Sequence, residues 1–94
     1  MEKGMNTKIL NEVVVRNKFG LHGRRAGQIV QEAMKYSAEI CIHYAQRTAN
    51  AKSILEILML AATQGSNLML LAQGEDACEA ISSLTRVIQN TQEI

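Results

Sequence analysis

Between Lys8 and Ile88 the apolar residues keep changing period, from two to 3.6 and back. Short segments of alternating type, rather than one long helix or a run of strands, are therefore the only elements available to this chain. Lys8-Ile-Leu-Asn-Glu-Val-Val-Val15 alternates as a strand, with Val13 and Val15 on the more apolar side and Glu12 and Arg16 on the other. The strand breaks at Asn17-Lys-Phe-Gly20, a turn-forming segment. From Ala26 the positions Ala26, Ile29, Val30, Ala33 and Met34 form the stripe of an amphipathic helix whose wet side carries Gln28, Gln31, Glu32 and Lys35. Ala38-Glu-Ile-Cys-Ile-His-Tyr44 alternates again, Ile40 and Ile42 inward and Glu39, Cys41 and His43 outward. Arg47-Thr-Ala-Asn50 reads as a short return strand, although the connection before it lacks a glycine.

Ser53-Ile-Leu-Glu56 carries a capping-box pattern, and an apolar run follows it through Ala62 to a stop at Gly65. A largely apolar strand spans Asn67 to Ala72 and ends at Gly74. Asp76-x-x-Glu79 resembles a second capping pattern, opening a helix with the stripe Ala77, Ala80, Ile81, Leu84, Val87 and Ile88. The order β-α-β-β-α-β-α predicts an α+β fold: a four-stranded, mainly antiparallel sheet with three helices on one face and water on the other. The middle helix has too much apolar surface for such a place. Ile54, Leu55, Ile57, Leu58, Met59 and Leu60 spread widely around a helical wheel, so part of that surface is expected to lie exposed as a contact site, unless a loop or a second copy covers it.

Size and charge narrow the function classes. Ninety-four residues is one small domain's worth of chain, expected to be a single domain over 1–94 with a core from about 8 to 90. A formal charge of +1 gives no whole-surface footprint for nucleic acid or anionic lipid. A sheet that reads RNA needs aromatics on its middle strands, and the outward positions here are Glu39, Cys41 and His43. No apolar run reaches the ~20 residues that span a bilayer, and Met1 to Lys8 lacks the apolar core of a secretory signal, so a cytoplasmic protein is expected, with no membrane insertion. Cys41 and Cys78 form no C-x-x-C pair, leaving either one disulfide or, as a cytosolic setting favours, two free thiols.

The chemistry concentrates in Gly20-Leu-His-Gly-Arg-Arg-Ala-Gly27, which joins the first strand to the first helix. A helix N-terminus presents unpaired amides and a partial positive charge, and so binds anions. His22 at that point, flanked by Gly20 and Gly23, has an acceptor nitrogen near neutral pH and can take a phosphoryl group, with the helix amides and Arg24 holding its oxygens. Arg25 adds a second cation that either grips a phosphate or alters partner choice. A lone histidine in such a turn is more often an ordinary surface residue beside a cap. Ser53, first in a capping pattern, is wanted there for helix stability alone.

The segment Asn17-Lys-Phe-Gly-Leu-His-Gly-Arg-Arg-Ala-Gly27 resembles the active-site signature of the HPr family, the histidine-containing phosphocarriers of the bacterial phosphoenolpyruvate-dependent phosphotransferase system. Asn50-Ala-Lys-Ser-Ile-Leu55 is similar to that family's second signature, at the start of its middle helix. The resemblance runs from about Ile9 to Ile88 and implies an open-faced β-sandwich. It implies that His22 is the phosphoryl acceptor, on Nδ1, with Arg24 contacting the phosphoryl group, and that Ser53 is a site for an ATP-dependent HPr serine kinase. Phe19, Ile54, Leu55 and Leu58 would dock enzyme I and the IIA domains or proteins. The resemblance implies a covalent phosphotransfer intermediate rather than a free-standing enzyme, needing no cofactor and no metal. A second reading is a regulatory interaction module, including a nitrogen-branch role, in which partners read the phosphorylation of His22 or Ser53.

Two positions depart from the family pattern. Gly23 stands where the family usually has alanine, and Arg25 where it usually has proline. Proline in a first helical turn presets φ and leaves no N–H unpaired, so both changes are expected to loosen the turn that orients His22, and Arg25→Pro is expected to keep or raise the transfer rate.

Overall fold

The computed structural model describes residues 7–92. Its elements run β1 (Lys8–Val14), α1 (Gly23–Ala33), β2 (Glu39–Tyr44), β3 (Arg47–Asn50), α2 (Ile54–Leu60), β4 (Asn67–Gln73) and α3 (Ala77–Gln89). The four strands form one sheet in the order β1-β4-β2-β3, every neighbouring pair antiparallel. The period-two reading of the strands sets the register. Val13 faces Leu68, Ile40 faces Ala72, and Ile42 stands between Leu70 and Ala49, all of them buried. One residue out of step, Glu12 pairs with Met69 and His43 lies between Met69 and Thr48 on the uncovered side. A slip by one residue would exchange the two sets, which is why the pattern specifies the pairing.

The helices cover the inward face, α3 against β1 and β4, α2 against β3, and α1 against the two other helices. Ala26, Ile29 and Ala33 of α1 and Ala80, Ile81, Leu84 and Ile88 of α3 join the strand residues in one core. This is the α+β architecture that the periodicity predicts.

Four local expectations are corrected. Met34 belongs to the apolar stripe by spacing, yet it is the C-cap of α1 and is exposed. The apolar run after Ser53 does not continue to Gly65: α2 ends at Leu60, and Ala61 takes the left-handed conformation at φ 54°. The capping box is only half made, because Ser53 Oγ accepts the Glu56 amide at 3.3 Å while the Glu56 carboxylate takes the Asn50 amide at 2.8 Å. Asp76 is the N-cap of α3 but makes no side-chain cap bond. Its carboxylate instead accepts the amides of Ser37 and Ala38, each at 2.9 Å, and so ties the loop between α1 and β2 to the start of α3. Gly74 (φ +144°) lets the chain pass this loop, since a Cβ there would lie 2.9 Å from Ala38 Cα.

The β2–β3 connection is the two-residue turn Ala45-Gln46, with Ala45 at φ 55° where a glycine would be at ease. Cys41 lies on the outward face of β2 and Cys78 on α3, both as free thiols. Burial, then the neighbouring charges of Glu39 and Glu56, push the Cys41 thiol above its ordinary pKa.

Candidate active site

The turn that carries His22 is held from two sides. Asn17 is buried, and its Nδ2 donates to the Gly20 carbonyl at 2.9 Å while the Gly20 amide donates back to the Asn17 carbonyl at 3.3 Å. Across the gap, the Leu21 amide donates to the Ala62 carbonyl at 3.0 Å. Gly20 (φ +72°) passes so close that a Cβ would stand 2.5 Å from that carbonyl oxygen, so neither the conformation nor the space admits a side chain. Leu21 is buried and His22, the next residue, is exposed.

His22 is the N-cap of α1, in extended conformation. Its carbonyl accepts the amides of Arg25 (3.0 Å) and Ala26 (3.3 Å), but its side chain makes no cap bond. The amides of Gly23 and Arg24 have no backbone acceptor among the described residues. The site therefore combines an uncommitted imidazole with the unpaired donors at the positive end of a helix dipole. The Phe19 ring meets the His22 ring edge-on, centroids 5.9 Å apart, and the Lys18 ammonium lies 5.7 Å from the Phe19 centroid. Asn17, Phe19, Gly20, His22, Arg24, Arg25 and Gln28 line an open cleft of about 350 Å³.

The two arginines part company. Arg24 is exposed at the cleft. Arg25 is only 4% exposed, and the expected free cation is engaged: Nη1 donates to the Val87 carbonyl in the last turn of α3 and Nη2 to the Gln92 carbonyl beyond that helix. A proline at 25 would forfeit these bonds and the Arg25 amide bond to His22 as well. These bonds argue against the expectation that Arg25→Pro keeps or raises transfer. Gly23 sits at φ +36° with open space around its missing side chain, so its backbone is permissive, as the sequence suggests.

On α2, Ile57 and Leu60 are buried, whereas Ile54, Leu55 and Leu58 are exposed, as is Phe19 in the His22 turn. Met59 is 67% exposed and extends the same short helix's apolar surface. Sequence reasoning named neither Met59 as a docking residue nor Asn17 and Gln28 as members of the cleft. The pairing of an asparagine with a glycine three residues later was the available sign for Asn17. Among the described residues no cluster of three or more His, Cys, Asp or Glu side chains is arranged to hold a metal ion, and no helix is long and apolar enough to cross a membrane.

Comparison with known proteins converges on one family. The family model described as "PTS HPr component phosphorylation site" matches residues 9–90. The chain is 42% identical over 78 residues to phosphocarrier protein HPr of Buchnera aphidicola subsp. Acyrthosiphon pisum, covering 83% of this chain and 92% of that one. It is 37% identical over 81 residues to the HPr-like protein Crh of Bacillus subtilis, covering 86% and 95%. Among solved structures, the crystal structure of HPr from Bacillus anthracis superposes with a TM-score of 0.85 at 39% identity, covering 89% of this chain and all of that one. A match to both the sequence family and its architecture over nearly the whole chain makes this protein a member of the HPr family and a phosphocarrier of the phosphotransferase system.

Proposed function

We propose that His22 is the residue that carries the phosphoryl group, and that Arg24 and the open amides of Gly23 and Arg24 hold its oxygens. The observation that carries this reading is an exposed imidazole at a helix N-cap, unused as a cap, next to two amides with no acceptor among the described residues. The neutral ring attacks phosphorus through Nδ1, the nitrogen that the family resemblance implies. The N–P bond to the donor's histidine breaks, and its electron pair returns to the donor ring. The phosphoryl charge then lies within reach of donors already in place, which need little reorganisation as the bond forms. Passing the group on is the same step in reverse, toward an acceptor histidine.

The donor in this reading is phospho-enzyme I and the acceptors are IIA domains or proteins, docking on Phe19 and the exposed Ile54, Leu55 and Leu58. All of this takes place in the cytoplasm. Ser53 Oγ already faces the first amides of α2, so a phosphate placed there by a serine kinase would keep a donor partner. It would also put about two negative charges beside the apolar docking residues. Its effect is repulsion of acidic partners rather than refolding.

The test is incubation with enzyme I and labelled phosphoenolpyruvate. Label should appear on His22 in an acid-labile, base-stable bond. His22→Ala taking up as much label as the parent chain would end this assignment.

A further inference from the structure

We propose that Arg25 is a positioning residue for His22: its buried guanidinium bolts the first turn of α1 to a carbonyl in the last turn of α3 and to one just beyond that helix, so that the phosphoryl-accepting end of α1 takes its orientation from residues 87–92. The inference rests on the assignment of His22 as the acceptor. Arg25 is 4% exposed, and a cation with so little water around it is costly unless its N–H groups are paired. Among the described residues no carboxylate pairs with it, and the ion pair present is Lys35–Glu32. The carbonyls of Val87, at the negative end of the α3 dipole, and of Gln92, just beyond the helix, take its N–H groups instead. Two backbone carbonyls thereby hold the guanidinium in place.

That fixed point is connected to the site by one main-chain bond. The amide of the same residue donates to the His22 carbonyl at 3.0 Å, so the residue anchored on α3 also closes the first turn of α1. Between them stands Gly23, at φ +36° with nothing within 4 Å of where a Cβ would be, so no side chain braces this step of the chain. α3 thus adds an anchor on the helix side of a turn already held by Asn17 and by the Ala62 carbonyl. Arg25 and Gln28 also line both the His22 cleft and the groove between α1 and α3 that Val87 and Asn90 border. The two surfaces meet at this side chain.

The experiment compares Arg25→Met and Arg25→Lys with the parent chain, measuring acceptance of label from phospho-enzyme I at several carrier concentrations. Buried Arg25 offers no docking surface, so Arg25→Met should leave KM for the carrier unchanged and lower kcat by about tenfold to a hundredfold, the usual cost of a misplaced reacting group. Arg25→Lys, with a cation that still reaches one carbonyl, should recover part of that loss. Parent kcat in Arg25→Met, or losses in both variants that merely follow the unfolded fraction seen by circular dichroism, would overturn the proposal. A measurement on the parent chain avoids any folding defect: phosphorylating the ¹⁵N-labelled protein should move the amide resonances of Val87, Asn90 and Gln92, and resonances that stay put would also overturn it. Failure of the underlying assignment looks different, since the parent chain would then take no label, or His22→Ala would take it equally.

Discussion

The Leu21 amide and the Ala62 carbonyl meet at 3.0 Å, joining the turn that carries His22 to the residue just beyond the C-cap of α2. The exposed apolar residues of α2 and the imidazole thus belong to elements joined by a main-chain bond. The close pass of Gly20 against the same carbonyl makes the junction intolerant. Gly20→Ala adds a left-handed penalty of about 1–3 kcal/mol to a backbone overlap of similar cost. A fall of about 2–6 kcal/mol in unfolding free energy is expected by urea titration. Acceptance of label should fall further than the unfolded fraction explains, because relieving the overlap moves His22.

Asp76 makes stability depend on acid. Its pKa is held below the ordinary aspartate value, chiefly by the Ser37 amide and also by those of Ala38 and Asp76 itself, with desolvation opposing. A depressed folded-state value means that the ionised form binds the loop. The contribution is complete above the unfolded value, about 4, and drains away as the pH falls toward the lowered one. Asp76→Asn should therefore flatten the decline of the urea midpoint between neutral pH and pH 3. Equal slopes in the two proteins would show that this carboxylate is not the group responsible.

Two alanines occupy glycine's conformation. Ala61 at φ 54° closes α2, and Ala45 at φ 55° begins the β2–β3 turn. Ala61→Gly and Ala45→Gly should each stabilise by about 0.5–1 kcal/mol, the left-handed relief exceeding the entropy lost by glycine. For a domain of this size that is a rise of roughly 2–8 °C in Tm, readable by calorimetry. A lower Tm would mean that the alanine methyl makes contacts worth more than the strain.

Ser53 separates a structural role from a charge effect. Ser53→Ala removes the acceptor of the Glu56 amide and should cost about 0.5–2 kcal/mol of stability with little change in transfer. Ser53→Asp keeps a cap and adds charge beside Ile54 and Leu55. It should retain stability while raising KM for phospho-enzyme I, and an unchanged KM would count against regulation by repulsion.

The alternation of β1, β2 and β4 and the stripe of α3 were legible because burial on one side leaves a period in the residues themselves. So was the return strand Arg47–Asn50, despite the missing glycine, because Ala45 adopts the turn conformation that a glycine signals. What could not be read locally was where polar groups reach. Asp76 and Arg25 each sit where a local rule assigns a partner, the first in a cap and the second beside an anion. Each spends its side chain on an element far away in sequence, at Ser37 and Ala38 for one and at Val87 and Gln92 for the other. Spacing carries the register of an element; it carries no information on a contact 62 residues away. The position of His22 at the start of α1 was visible from the glycines around it, whereas the burial that sets Arg25 apart from Arg24 depends on α3 being packed alongside.

The contrast between the two thiols supplies a handle for following transfer. Cys78 stands exposed on α3, while Cys41 is half-buried on the sheet and held in its unreactive protonated form. A maleimide dye offered at neutral pH should couple first at Cys78, lighting the helix whose far end grips Arg25 without placing a fluorophore among the apolar residues of α2.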